Sequence, residues 1–317
     1  MKFVEPYVEL LNFKDIYERI EYAARNCYKS HEKSDPSNVH NFIMDKLDKK
    51  HFSVLEHSNI PVKWAFSKEE REDAFFIYQW LQAIKGESDA KIYITMPNEM
   101  DVIIISGNVR GWMDLFDYDI RSSELFNEGF LDMLETALSK EHPLFFINKN
   151  IIPIGEIGVI SEREAYSYNP IHMTFTFEIL TNRAVSHQLV RHRALSFSQE
   201  SQRYCNYSLN KFDKEIKYCL DESEKNMDDI SLGILISSLK ASEDIYIELL
   251  KSKVRPEIAR GVLPNATATT IIVTGRVFDI WDFIEKRVVA GAQEPIKKIA
   301  MAMDEIIGIK TMEMLNE

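Results

Sequence analysis

Apolar residues recur along this chain at two spacings, every third or fourth position in some stretches and every second in others. Ile16, Ile20, Ala23, Ala24 and Cys27 follow the first, so residues 14–27 are predicted to form an amphipathic helix with an acidic outer face. Phe75, Phe76, Trp80, Leu81 and Ile84 repeat that spacing behind Ser67 and Glu70, which stand as in a capping box, and Gly86 is the expected stop. KIYIT (91–95) and DVIIIS (101–106) are β-rich. In MTFTFEI, Met173, Phe175, Phe177 and Ile179 alternate with Thr174, Thr176 and Glu178, the pattern of a half-buried strand. Tyr168-Asn169-Pro170 before it reads as a turn. Further helices are predicted at 182–192, 228–253, 256–262, 276–289 and 292–314. Strands and helices without a Gly/Ser-rich linker predict an α+β fold in a single domain, 1–317.

Composition narrows the function. With 45% hydrophobic and 28% charged residues the chain has the makings of a packed core. A net charge of −12 argues against general affinity for nucleic acid or an anionic membrane, so any anion site must be local. No apolar run approaches the roughly 18 residues of a membrane span, and MKFVEPYVELLNF lacks the order of a signal peptide, so a cytoplasmic protein is expected. Cys27, Cys205 and Cys219 lack C-x-x-C spacing and read as small buried fillers. His51, His57, His187 and His192 lack a supporting Cys or acid cluster, so no metal is expected, and no P-loop or Ser-His-Asp order is present.

One stretch runs against the overall charge. Thr181 to Tyr204 holds four arginines (Arg183, Arg191, Arg193, Arg203) against one acid, Glu200, a net of +3. Lysine would serve a solvated face equally well, whereas arginine's planar fork grips phosphate or paired carbonyls and stacks on rings. Ser196, Ser198, Ser201, Gln199 and Gln202 add neutral donors, as a site for a phosphate and a polar base requires. Residues 194–202 show no clean period and read as a loop leaving a helix, with backbone N–H groups free to face an anion.

Arg191-His192-Arg193, seven further residues and Ser201, continued by Arg203-Tyr204, resembles the RHR-x7-S signature of the flavin-dependent thymidylate synthases. The resemblance takes in SHQLVRHR, IARGVLP and HFSVLEH, which is similar to the family's H-x-[ST]-x-x-E-H element. It implies an antiparallel sheet flanked by helices, with an inserted segment at about 67–170 before the RHR motif. It further implies reductive methylation of dUMP to dTMP with methylenetetrahydrofolate, NADPH and FAD, without a cysteine nucleophile, in a homotetramer with active sites between subunits. Carried over by motif, Gln188, Arg191, Gln199, Glu200, Ser201, Gln202, Arg203 and Arg260 would bind dUMP, and Arg287 would activate the uracil. Arg191, His192, Arg193, Gln199 and Asp282 would face FAD, and His51, Ser53 and Glu56 would line the flavin and folate pocket.

Two departures stand out. The family's N-x-R segment before the last helices is here Gly275-Arg276-Val277-Phe278, and its histidine ahead of the A-Q pair is Gly291. SGNVRGWMDLF (106–116), inside the expected insertion, echoes TGRVFDIWDFI (274–284) and carries Asn108-Val109-Arg110 with the N-x-R spacing. Asn108 and Arg110 are therefore candidate flavin contacts on a duplicated or relocated element, set against an ordinary strand–turn–helix matched by chance. The alternatives to thymidylate synthesis are C5 modification of another pyrimidine nucleotide and a flavin-free nucleotide-binding regulator.

Overall fold

The computed structural model describes residues 1–87, 91–97, 100–117, 128–146 and 156–316. Strands β1 (Lys2–Phe3) and β2 (Tyr7–Leu11) lead to helices α1 (Ile16–Asn26) and α2 (Val39–Asp48). Strand β3 (Ile60–Ala65), α3 (Arg71–Glu87), β4 (Ile92–Thr95), β5 (Val102–Gly107), α4 (Val109–Asp117), α5 (Glu128–Glu141), β6 (Ile157–Val159) and α6 (Glu162–Tyr168) follow. Then come β7 (Thr174–Asn182), α7 (Arg183–Leu189), β8 (Ser196–Gln199), β9 (Lys217–Tyr218), α8 (Glu222–Lys225), α9 (Asp229–Lys251) and α10 (Pro256–Ala259). The chain closes with β10 (Ala268–Arg276), α11 (Val277–Arg287) and α12 (Glu294–Asn316). Among the described residues no helix is long and apolar enough to cross a membrane.

Two four-stranded antiparallel sheets organise these elements, in spatial orders β4-β5-β3-β6 and β2-β7-β10-β8, while β1 and β9 pair in parallel. One core gathers about the first sheet, with Ile20, Ile60, Ile103, Trp112 and Leu134, and another lies between the second sheet and α7, α11 and α12, with Phe177, Ile271, Phe283, Ile299 and Met303. Side-chain capping sets helix starts: Asp15 accepts from the N–H groups of Tyr17 and Glu18, and Asn182 from that of Val185.

The two sheets repeat one chain path. β3–α3–β4–β5–α4 in the first corresponds to β7–α7–β8–β10–α11 in the second, and Ile60 stands opposite Gly107 as Phe175 stands opposite Gly275. A Cβ on Gly107 would lie 3.2 Å from Ile92 Cδ1 and 3.3 Å from Trp112 Nε1; one on Gly275 would lie 2.3 Å from Leu195 Cδ2 and 3.1 Å from Ile280 Cγ1. Ile92 and Leu195, and likewise Trp112 and Ile280, are thus counterparts. The first N–H of each following helix is also held from just before the facing strand, Val109 by Ser58 Oγ and Val277 by the Met173 carbonyl. Two buried histidines complete the match by exchange, since His57 Nδ1 meets Thr274 Oγ1 of the other sheet and His172 Nδ1 meets Ser106 Oγ, each at 2.8 Å. SGNVRGWMDLF and TGRVFDIWDFI therefore occupy equivalent strand-to-helix junctions.

Several expectations need correction. The helix expected at 182–192 ends at Leu189, and His192 and Leu195 close successive turns onto the carbonyls of Leu189 and His192. The expected loop 194–202 contains β8, paired with β10; its burial alternates, but serines 196 and 198 occupy the inward positions, which conceals the period. β7 is buried on both faces, because Thr176 bonds Thr274 and Thr174 bonds Arg19 and Glu162. Helix α3 runs past Gly86 to Glu87, and of the capping box the Glu70 carboxylate accepting from Ser67 N–H is present. The helix at 256–262 is one α-turn followed by a 3₁₀ turn. A single sheet was expected; β3, outside the expected insertion, pairs with β5 and β6 to build a second one.

Candidate active site

The turn after α7 and the outer face of α11 enclose a cavity of about 590 Å³ lined by Gln188, Arg191, His192, Arg193, Ala194, Asp279, Asp282, Lys286 and Arg287. Local folding produces this convergence. β8 returns antiparallel beside β10, and α11 continues directly from β10, so the RHR turn that feeds β8 comes to lie against α11. His192 packs edge-on against the Phe283 ring at 4.8 Å, fixing the turn to the helix.

Arg287 is held from two sides. Its Nε donates to His192 Nε2 at 2.8 Å and its Nη2 to the Gln188 carbonyl at 3.2 Å. Burial, then the charge of Arg287, lowers the His192 pKa, so the imidazole is neutral and can accept that bond. No carboxylate bonds Arg287 among the described residues, and Arg191 and Arg193 have neither hydrogen bond nor ion pair there. Four cationic side chains (Arg191, Arg193, Lys286, Arg287) against two acids (Asp279, Asp282) leave the cavity at +2 on a chain of −12. Such a donor set fits a phosphate-bearing ligand. A cavity of about 450 Å³ between β2 and α12 is instead lined by Glu5, Asp221, Glu222 and Glu294 beside two lysines, a poor setting for an anion.

The structure brings Gln188, Arg191, His192, Arg193, Asp282 and Arg287 together and leaves the other expected site residues elsewhere in the chain. Gln199 donates to Ser186 Oγ and Thr269 Oγ1. Glu200 accepts from Tyr207 Oη at 2.7 Å and lines a separate cavity with Lys29 and Lys211. Ser201 is half-buried, Gln202 is buried, and exposed Arg203 lies over the Tyr204 ring at 5.2 Å. Arg260 is exposed, its Nε donating to the Glu257 carbonyl. His51 and Ser53 are exposed and lie outside the RHR cavity.

Glu56 meets the second sheet beside that cavity, accepting from Ser196 Oγ at 3.2 Å and pairing with Lys91 at 2.9 Å and Arg110 at 4.0 Å. Asn108 caps α4 by accepting from Gly111 N–H at 2.7 Å. Its counterpart Arg276 is buried, with its guanidinium 3.3 Å over the Tyr93 ring and 4.0 Å from Asp279, and burial lowers its pKa to about 10. Phe278, the counterpart of Arg110, is exposed. Asp279, Lys286 and Gln293, which accepts from Gln188 Nε2 at 2.6 Å, escaped the motif-based reading. The first two follow from helical spacing, since residues 279, 282 and 286 share a face with Arg287.

An α+β fold carries an arginine-lined pocket in which, among the described residues, no carboxylate bonds Arg287, the makings of an anion-binding class of site. Residues 170–310 match the family described as thymidylate synthase complementing protein, so the match falls on the sheet that carries the RHR turn. A flavin-dependent thymidylate synthase from Geobacter sulfurreducens is 34% identical over 178 residues, 56% of this chain and 70% of the relative. One from Saccharolobus solfataricus is 36% identical over 135 residues, covering 42% and 49%, and one from Pyrococcus abyssi 35% over 137 residues, covering 43% and 55%. The chain belongs to the flavin-dependent thymidylate synthase family, and it spans about half the length of the latter two relatives.

Proposed function

We propose that the chain converts dUMP to dTMP by reductive methylation, with methylenetetrahydrofolate as carbon donor, NADPH as reductant and FAD as bound cofactor. The observation that carries this reading is Arg287, a guanidinium fixed by a neutral histidine and a carbonyl and bonded by no carboxylate among the described residues. Arg191 and Arg193, free of protein partners among the described residues, are suited to hold the phosphates of the flavin. Bound FAD supplies the hydride chemistry. Arg287 supplies a preorganised cation where negative charge develops as the pyrimidine C5 becomes nucleophilic, and His192 keeps it oriented without adding a competing positive charge.

Gln199 to Arg203 lie outside the Arg287 cavity, so the reading favours an assembly in which another copy brings those residues to the nucleotide, as in a homotetramer with sites between subunits. Protein supplied with FAD should show a flavin absorption band bleached by NADPH, and should form dTMP from dUMP and methylenetetrahydrofolate. Replacing Arg287 with alanine should lower turnover about 100- to 1000-fold while FAD remains bound. Failure of the unaltered protein to form dTMP would overturn the reading.

A further inference from the structure

The two equivalent sheets do not carry equivalent chemistry. Next to the counterparts Ile92 and Leu195, the first sheet has Lys91 where the second has Ala194. We infer that residues 57–117 act as a built-in partner for residues 172–287, setting the charge of the RHR pocket across the contact between the two sheets through Lys91 and Tyr93. Both are positioning residues that act through Asp279 and Glu56.

The contacts run in a chain from the first copy to the cavity wall. Lys91 Nζ holds Glu56 at 2.9 Å, and the same Glu56 oxygen accepts from Ser196, two residues beyond the pocket residue Ala194. The Lys91 carbonyl accepts from Arg276 Nη2 at 3.2 Å, so the arginine that neutralises Asp279 is itself anchored on the first copy. Tyr93 Oη lies 3.4 Å from both Asp279 oxygens, and its ring carries Arg276 on its face. Asp279 therefore faces Tyr93 and Lys91 from the first copy, Arg276 from its own, Asp282 along its helix, and Arg191, Arg193, Lys286 and Arg287 around the cavity. Burial raises its pKa above the ordinary carboxylate value, and the charge of Arg276, the Tyr93 hydroxyl and the charge of Lys91 oppose that rise and compensate the carboxylate. Without Lys91, the carboxylates at the pocket edge oppose an incoming phosphate.

This inference rests on the reading that the RHR pocket binds an anionic nucleotide, and FAD binding to the full chain, followed by flavin fluorescence, separates the two. If the unaltered protein does not bind FAD, the pocket reading fails first. If it does, Lys91→Met should weaken binding about tenfold near neutral pH, whereas Lys91→Arg, which keeps the charge, should bind as the unaltered chain does. The deficit should shrink on acidification, because protonating Asp279, whose pKa burial already raises, restores the pocket's positive balance. It should also shrink in an Asp279→Asn background, where the opposing charge is already absent. A loss independent of pH and of Asp279 would show that Lys91 only packs, and unchanged FAD affinity in Lys91→Met would remove it from the pocket altogether; either result overturns the inference.

Discussion

The sheet containing β3, β4 and β5 and the sheet containing β7, β8 and β10 follow the same path, yet they treat their charged residues in opposite ways. At the junction after β5, Asn108 caps the helix and Arg110 stays half-exposed on Glu56 and Asp114. At the junction after β10, the corresponding Arg276 is buried against Tyr93 and Phe278 is turned outward. Equal backbone geometry thus tolerates a capping amide at one site and a buried cation at the other, and the difference is set by what the neighbouring sheet offers. The second junction is structural, while the RHR turn near it leaves Arg191 and Arg193 without protein partners among the described residues. Net positive charge suited to an anion is consequently gathered in one pocket beside the contact between the two sheets.

The largest test of that comparison uses the exchanged histidines. Burial drives the His57 pKa down to about 3 and that of His172 to about 4. In the unfolded chain each takes up a proton near pH 6.5, so stability is full above about pH 6.5 and falls as pH drops toward each folded value. Urea unfolding should show a loss on the order of 5 kcal/mol between pH 6.5 and 4. His57→Gln or His172→Gln should flatten that slope. The His57 contribution should extend to lower pH, because His172 has hydroxyl partners on both nitrogens whereas His57 Nε2 is buried without one among the described residues. A slope that both substitutions leave unchanged would break the picture of two matched buried imidazoles.

Periodicity disclosed the elements whose two faces differ. α1, with Ile20 and Ala24 inside and Glu18 outside, was legible because one face meets the core and the other water. β10 was not: ATTIIVTGR is buried along its whole length, so no alternation marks it, although its run of β-branched residues was a usable signal. β8 was hidden for the reverse reason, serines pointing inward. The candidate site was legible where its residues sit in one contiguous motif, as at Arg191 to Arg193, and where a distant arginine matched a family position, as at Arg287. Asp279 was open to helical spacing from Arg287, whereas Lys91 approaches Asp279 only through the packing of the two sheets, which no linear spacing records.

A smaller test compares the two helix junctions directly. Truncating Arg276 to alanine leaves Asp279 without its nearby cation in a largely buried setting, and unfolding should cost about 3 kcal/mol less. Truncating Asn108 to alanine removes one capping bond and should cost about 1 kcal/mol. Equal losses at the two positions would mean that the buried cation contributes no more than an ordinary cap.

The smallest expected effects separate the two glycines. A methyl group on Gly275 would sit 2.3 Å from Leu195 Cδ2, closer than any real contact, so Leu195 or β10 must move; on Gly107 the nearest atom, Ile92 Cδ1, is 3.2 Å away and can yield by a few tenths of an ångström. Gly275→Ala should therefore destabilise by about 2 kcal/mol and Gly107→Ala by less than about 1 kcal/mol. Their functional consequences should differ more than their stabilities. Leu195 follows Arg193 and Ala194 directly, so its displacement drags the RHR turn, and FAD affinity should fall in Gly275→Ala. Ile92 follows Lys91, whose charge meets Glu56 at the end of a long flexible stem that absorbs a small backbone shift, so Gly107→Ala should leave FAD affinity within about twofold. Measuring stability and affinity on both variants shows whether the copies, alike in fold, are coupled to the ligand by a rigid turn in one and a flexible side chain in the other.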